Sequence, residues 1–385
     1  MKIHATSRPA LKTGTSLFPL SASPDSEITS TLFVGRPDHG IEITAPHALA
    51  ILRAFTGAWD CQEISGRLGA PLKEVIRLAS LLFAAGLIDL SHTAIVQSGS
   101  TSVEIRDDTR DISQQQLLMR ISRESALTTW RDGSARNCDH GISLLQRRKN
   151  WEVEFFSHSP LSYRIHRSLD ASGIGRTHLT DSPDGKSSVT SEEIDLAHFP
   201  HQDLGRPIHQ VLSDISRNIR LFPARSNRSL REESADAAGA STLVITPADL
   251  AATAMWHQRP HLIYRISSLS QVEIGPLVLP GHTPCWRCVQ LQRSDHDRLW
   301  SALYQAEIAE PEIHRQLEKR LPHAVLDFLT GLITVEVLEF IDTGKCALTH
   351  GAIALSLTPK FSFQQIAYVQ HPRCGCRWRE SSAEW

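Results

Sequence analysis

The sequence predicts an α/β protein in which a smaller, winged helix-turn-helix-like domain precedes a Rossmann-like sheet. Three observations carry this expectation. A hairpin and three helical segments fill residues 27–92, a strand–turn–helix–strand outline begins at Trp151, and two close cysteine pairs mark the last third of the chain. At roughly 150 residues per domain, 385 residues make two or three domains, enough to bury a core without disulfide staples. Lys+Arg 40 against Asp+Glu 42 leaves a formal charge of −2, which offers no bulk attraction to nucleic acid or an anionic membrane. Hydrophobic residues at 41% and charged residues at 21% exclude a disordered or fibrous chain.

Residues 1–26 are rich in Ser, Thr and Pro and read as an irregular arm without the apolar stretch of a secretory signal. The longest apolar run, Leu78 to Ile88, is broken by Ser80 and Gly86 and is too short to span a bilayer. A cytoplasmic protein with no membrane segment is expected. Glu27–Val34 and Gly40–Thr44 read as strands around the turn-like Arg36-Pro37-Asp38-His39. Pro46–Phe55 repeats apolar residues at helical spacing. Asp60–Leu68 opens with an N-cap and Glu63 three residues later, as in a capping box. Pro71–Ala85 starts with proline and places Val75, Leu78 and Leu82 on one face, and Leu87–Leu90 closes the domain as a short strand. Between Pro46 and His92, Arg53, Arg67, Lys73 and Arg77 are balanced by Asp60, Glu63, Glu74 and Asp89. That is no basic stripe, so a protein- or peptide-binding domain is expected over a DNA reader.

Residues 93–147 read as a linker leading into helix, 148–378 as the α/β domain and 379–385 as a tail. Trp151–Phe156, Leu161–Leu169 and Gly175–Thr180, closing at Asp181, have the outline of a nucleotide-binding βαβ unit. The turn that should be glycine-rich is instead Ser157-His158-Ser159-Pro160. Side chains there hinder close backbone approach, and proline removes one N–H from the phosphate cradle. Residues 182–203 and 223–240 read as polar loops around a helix, Ile208–Leu221. Strands are expected at Ser241–Thr246, twice within His261–Pro280, at Cys346–Pro359 and at Phe361–Val369. Helices are expected at Pro247–Met255 and Pro322–Thr343.

Seven cysteines make a disulfide scaffold unlikely on number alone, since four of them form C-x-x-C (Cys285, Cys288) and C-x-C (Cys374, Cys376). Two thiolate pairs on tight turns suit one tetrahedral zinc with no open position, a structural staple. A redox pair at Cys285 and Cys288 is the alternative, and it leaves the second pair unexplained. His371 is a substitute ligand beside the tighter C-x-C, while Cys61, Cys138 and Cys346 read as core thiols. Asp295, Asp297 and Arg298 are expected to cap the helix after the first cysteine pair.

The stretch Val272-Glu273-Ile274-Gly275-Pro276-Leu277 through Pro284-Cys285-Trp286-Arg287-Cys288, continuing to LQRSDHDRLW, together with the tail HPRCGCRW, resembles E1-like (ThiF-related) proteins. The closer resemblance is to the branch that accompanies YcaO cyclodehydratases in making thiazole/oxazole-modified peptides. It implies an N-terminal peptide-recognition element and a degenerate E1-type domain. The implied function is that of a non-catalytic scaffold, which binds the leader of a ribosomal precursor peptide and presents it to a separate YcaO-type enzyme for azoline formation. By analogy the leader adds as a strand to the hairpin at Thr29 to Val34, with Thr29, Thr31 and Phe33 on that strand and Val75, Leu78 and Leu82 facing the groove. ATP is not expected as a cofactor, since SPDGKSSVTSEE after Asp181 supplies neither Asn nor Arg. A homodimer is possible by the same analogy. Competing readings are an active adenylyltransferase and a zinc-stapled winged-helix regulator.

Overall fold

The computed structural model describes residues 2–12, 14–21, 29–36, 39–90, 120–121, 123–124, 126, 141–180, 188–221, 241–250 and 258–376. The expected Asp181, Cys138, residues 223–240 and most of the Pro247–Met255 helix lie outside them. The chain divides into two compact units between Gln146 and Arg147.

The first unit is built on a three-stranded antiparallel sheet, β2 (Ser16–Ser21), β3 (Thr29–Arg36) and β4 (His39–Pro46), in the order β2-β3-β4. Alternation decides its faces: Leu32 and Val34 of β3 and Ile43 and Ala45 of β4 are buried on one side. Gly35 permits the tight return between β3 and β4, because at its φ of 141° a Cβ would stand 2.4 Å from the Gly40 Cα. Three helices cover the apolar face: α1 (Ala48–Arg53), α2 (Cys61–Leu68) and α3 (Leu72–Ala84). The expected capping box starts α2: Glu63 N–H donates to Asp60 Oδ1 at 2.8 Å and Asp60 N–H to Glu63 Oε2 at 2.9 Å. A second ribbon pairs β1 (Pro9–Leu11) with β5 (Ile88–Leu90), where Lys12 and Asp89 form a buried ion pair at 3.9 Å.

Two expectations need correction here. Residues 1–26 are not an irregular arm throughout, since β1 and β2 both lie in them. In consequence β3, which carries Thr29, Thr31 and Phe33, is the middle strand and has no free edge.

The second unit holds a seven-stranded mixed sheet in the order β12-β11-β10-β9-β8-β6-β7. Helix α4 (Ile142–Lys149) leads into β6 (Trp151–Phe155), α5 (Pro160–Ala171) and β7 (Arg176–Leu179). After α6 (Ser191–Leu196) and α7 (Ile208–Ile219), β8 (Ser241–Pro247) returns to the other side of β6. Strands β6, β7 and β8 are mutually parallel, and β9 (His261–Ser268) continues in parallel beside β8. Strands β10 (Gln271–Val278), β11 (Gly351–Ser356) and β12 (Ser362–Ala367) extend the sheet in antiparallel fashion. Residues 182–203, expected as loop, contain α6 and a short 3-10 turn, His201–Asp203; the Thr190/Glu193 capping box starts α6. Between β10 and β11 stand α8 (Trp286–His296), α9 (Trp300–Ala309), α10 (Pro311–Lys319) and α11 (His323–Thr343).

The main core packs α5 and α11 against one sheet face, with Val153, Phe155, Ile165, Leu262 and Ile333 all at its centre. Beneath it Arg148 is buried. Its Nε and Nη2 donate to the two Asp342 carboxylate oxygens at 2.8 and 2.6 Å, and its Nη1 to the Ser172 carbonyl at 2.9 Å. One guanidinium thus joins the ends of α4, α5 and α11, a paired and fully hydrogen-bonded buried charge. Among the described residues no helix is long and apolar enough to cross a membrane.

The side chains of Val75, Leu78 and Leu82 are 0% exposed in the core of the first unit, so they line no groove. Leu78→Ala should therefore act on folding and lower the stability of that unit by about 2–5 kcal/mol, measured by urea denaturation.

Candidate functional sites

Cys285 precedes the first turn of α8, Cys288 lies within that turn, and Cys374 and Cys376 follow β12. Their four sulfurs lie within 4.8 Å of one another. The Cys285–Cys374, Cys288–Cys376 and Cys285–Cys288 pairs are 3.3, 3.5 and 3.8 Å apart. A tetrahedral ion with bonds of about 2.3 Å needs sulfurs roughly 3.8 Å apart, so the donor set fits zinc in number, chemistry and spacing. Cys285 donates to Cys288, and His371 N–H reaches the Cys288 sulfur at 3.2 Å. These contacts favour the Cys288 thiolate, while the Cys288 sulfur and burial raise Cys285. Burial, then Cys288, pushes Cys376 up to about 12. The four sulfurs could together hold one cation.

His371 is not among the cluster. Its Nδ1 accepts the Arg373 N–H at 3.1 Å, so its Nε2 carries the proton and donates to Asp295 at 2.9 Å. Asp295 also binds the Arg373 guanidinium and ties α8 to the C-x-C segment instead of capping a helix. His371 first, and Arg373 next, hold its carboxyl below the usual range. Asp297 does cap, accepting the Leu299 N–H at 2.9 Å ahead of α9, whereas Arg298 is exposed. Behind the cluster, Arg293 Nη2 donates to Glu273 at 2.5 Å and the Tyr368 hydroxyl donates to the same carboxylate at 2.7 Å. This joins α8, β10 and the segment after β12.

The second site lies where β6 leads away to β7 on one side while β8 stands on the other. That is the switch point at which parallel α/β sheets bind ligands. Here the first turn of α5 is already satisfied. Pro160, its first residue, has no N–H, Leu161 N–H donates to Glu318 Oε1 at 2.8 Å, and Ser162 N–H reaches the Ser159 hydroxyl at 3.3 Å. Ser157, Asp249, Tyr264, Arg315 and Glu318 line a cavity of only about 20 Å³. That is room for about one water. Burial, opposed by the Leu161 N–H and then the Ser159 hydroxyl, raises the Glu318 carboxyl from 4.5 to about 7. Burial also raises the Tyr264 phenol, opposed by its interactions with the Ser159, Ser162 and Ser157 hydroxyls. Neither Glu318 nor Tyr264 was foreseen in the sequence. Glu318 lies 157 residues from its partner, and no local pattern marks the pairing.

The other expected residues are not brought to either site. Thr31 Oγ1 lies 3.0 Å from Thr44 Oγ1, and Phe33 packs near Phe18 with ring centroids 6.2 Å apart. Both belong to the three-stranded sheet, on the side away from Leu32 and Val34; for Thr29 only the strand position is described. Cys61 and Cys346 are buried and raised by burial, as core thiols are, to about 11 and about 12.

No protein family and no curated protein matches the sequence. Solved structures do match in fold. E. coli MccB bound to succinimide is 12% identical with a TM-score of 0.54, over 96% of this chain and 99% of that one. The microcin C7 biosynthetic enzyme MccB in complex with N-formylated MccA is 12% identical with a TM-score of 0.56, over 96% and 99%. The heterocyclase TruD is 12% identical with a TM-score of 0.54, over 96% of this chain and 42% of TruD. At this identity the likeness is one of fold. The mixed seven-stranded sheet is consistent with the Rossmann-like E1/ThiF-type architecture that the sequence leads one to expect.

Two outcomes follow from these geometries. Cys374→Ser should reduce bound metal from about one ion per chain to near zero in an elemental assay, while His371→Ala retains it. For Glu318, the folded chain holds the proton more tightly than the unfolded chain. Its contribution to stability is thus full below pH 4.5 and declines as pH rises through about 7. Denaturation across that window should show a loss of up to about 3 kcal/mol that Glu318→Gln removes.

Proposed function

We propose that the chain is a non-catalytic, cytoplasmic scaffold of ribosomal-peptide modification. It binds the leader of a precursor peptide through its N-terminal, winged-helix-like unit and presents the peptide to a YcaO-type cyclodehydratase. The observation that carries this reading is the switch point. In place of an open glycine turn it has Ser157-His158-Ser159-Pro160, a satisfied helix start and about 20 Å³ of space. Adenylation of a carboxylate needs a triphosphate at such a place, with backbone N–H groups free to hold it. The fold likeness to MccB, solved with the peptide MccA, and to the heterocyclase TruD supports a peptide as partner. The near-neutral charge fits a peptide better than nucleic acid.

In this reading zinc closes the four-cysteine cluster as a structural ion. The leader is placed along β4, not β3. Since β3 is central, strand addition falls to an outer strand. Strand β2 carries Pro19 and a register shift before Ser21, both of which hinder further pairing, whereas β4 runs in unbroken register from His39 to Pro46.

With a labelled leader peptide, fluorescence anisotropy should report binding to the full chain. Hydrogen exchange should then slow in residues 39–46 and not in 16–21. Unchanged exchange at β4 despite binding would exclude this mode. ATP–pyrophosphate exchange by the purified chain would overturn the scaffold reading in favour of an adenylyltransferase.

A further inference from the structure

We infer that the cleft between α8 and α9, beside the cysteine cluster, is a binding site for a small aryl carboxylate. It is separate from the switch point and does not depend on the leader-binding reading. Arg287, Gln290 and Leu291 stand three and four residues apart and turn one face of α8 to the cleft. Ser301 and Tyr304 do the same from α9. The space between them is about 340 Å³, far above the roughly 15 Å³ that admits a single water and within the range of small-molecule sites.

Hydrogen-bond directions decide what the cleft lacks. An indole N–H can only donate. Trp300 Nε1 donates to Gln290 Oε1 at 2.6 Å, which fixes the amide with Nε2 at its other end. That nitrogen is buried and has no partner among the described residues. Trp286 Nε1 donates to the Tyr304 hydroxyl at 2.7 Å, so the phenol's own proton is left to give. Two tryptophans thus use up the acceptors on this wall and leave its donors. Arg287 adds an exposed guanidinium, and among the described residues lining the cleft none is acidic. Glu307, one turn along α9 from Tyr304, is held by Arg265 Nε at 3.1 Å. A buried donor without an acceptor is costly, and an ionised acceptor relieves that cost best. A carboxylate supplies it and answers the Arg287 charge, while a ring suits the walls made by Trp286, Leu291 and Tyr304.

The test is a ligand-observed NMR titration of the full chain with phenylacetate, and with the neutral phenylacetamide as control. Phenylacetate should bind saturably, and the amide about tenfold more weakly. Arg287→Ala, at an exposed position, should weaken phenylacetate about tenfold and leave the amide unchanged. Gln290→Leu should weaken both probes, since both carry an acceptor, and Leu291→Trp, which fills the cleft, should abolish both. A chain that binds neither probe overturns the inference, as does equal affinity for the two. Undiminished binding by a folded Leu291→Trp chain would place the ligand elsewhere and overturn it too. Should Leu291→Trp fail to fold, Arg287→Ala decides, and unchanged affinity for phenylacetate there sinks the site.

Discussion

Four sulfurs within 4.8 Å of one another form the constraint on which the C-terminal half depends. Thiols pack at such distances, but thiolates repel, and the contacts that favour the Cys288 thiolate raise its neighbour Cys285. A bound cation removes that conflict, because each deprotonated sulfur then gains a ligand bond. The closure joins residues 285–288 to 374–376 across the intervening helices and the two last strands of the sheet. Around it the polymer is fastened twice more. Gln292 Nε2 donates to the Val369 carbonyl at 2.6 Å, and the Glu273–Arg293–Tyr368 network joins α8 to β10. Four cysteines would fill the positions of a tetrahedral ion, although Cys285 also lines a neighbouring cavity with Trp286 and Tyr304.

The switch point answers a different electrostatic demand. Parallel strands β6 and β8 open a crevice at the start of α5, where donors converge whatever the chain's purpose. In a nucleotide-binding protein the phosphates satisfy them. Here Ser159 and Glu318 do, and Pro160 reduces the number to be satisfied. Burying Glu318 is costly for its charged form, as its rise to about 7 records. The Leu161 N–H offsets part of that cost. The sheet keeps the shape of a nucleotide fold while the chemistry of its mouth is turned inward.

Local signals made much of the fold readable. The Asp60/Glu63 capping box, the apolar spacing of Val75, Leu78 and Leu82, and the strand-like runs of β6 and β8 belong to single elements, and each was anticipated to within a few residues. The two cysteine pairs were legible because metal-ligand spacing is itself local. What escaped the sequence was pairing at a distance. Strand β1 is three residues long and takes its identity from β5, and β2 carries Pro19, which reads as a loop. The family analogy put the leader on the strand carrying Thr29, Thr31 and Phe33, and with β2 unread nothing in the sequence marked that strand as central. The same apolar spacing that located α3 could not tell a groove from a core; burial decided for the core.

Glu318 shows why the most informative residue for function was the least visible. Its helix α10 has ordinary polar composition, and a glutamate near a helix end has no distinctive neighbours in sequence. Its meaning arises only when the α/β sheet brings α10 to the mouth of β6, 157 residues earlier in the chain. The turn Ser157-His158-Ser159-Pro160 says by itself that a phosphate would be held poorly. The Glu318 carboxyl says more, since a group already fills the start of the helix and a phosphate would have to displace it at the loss of its hydrogen bonds. A weak site can be rescued by a high ligand concentration, but a filled one resists in proportion to the stability of what fills it. The later half of the α/β unit, by supplying α10, thereby determines the chemistry available to the first half.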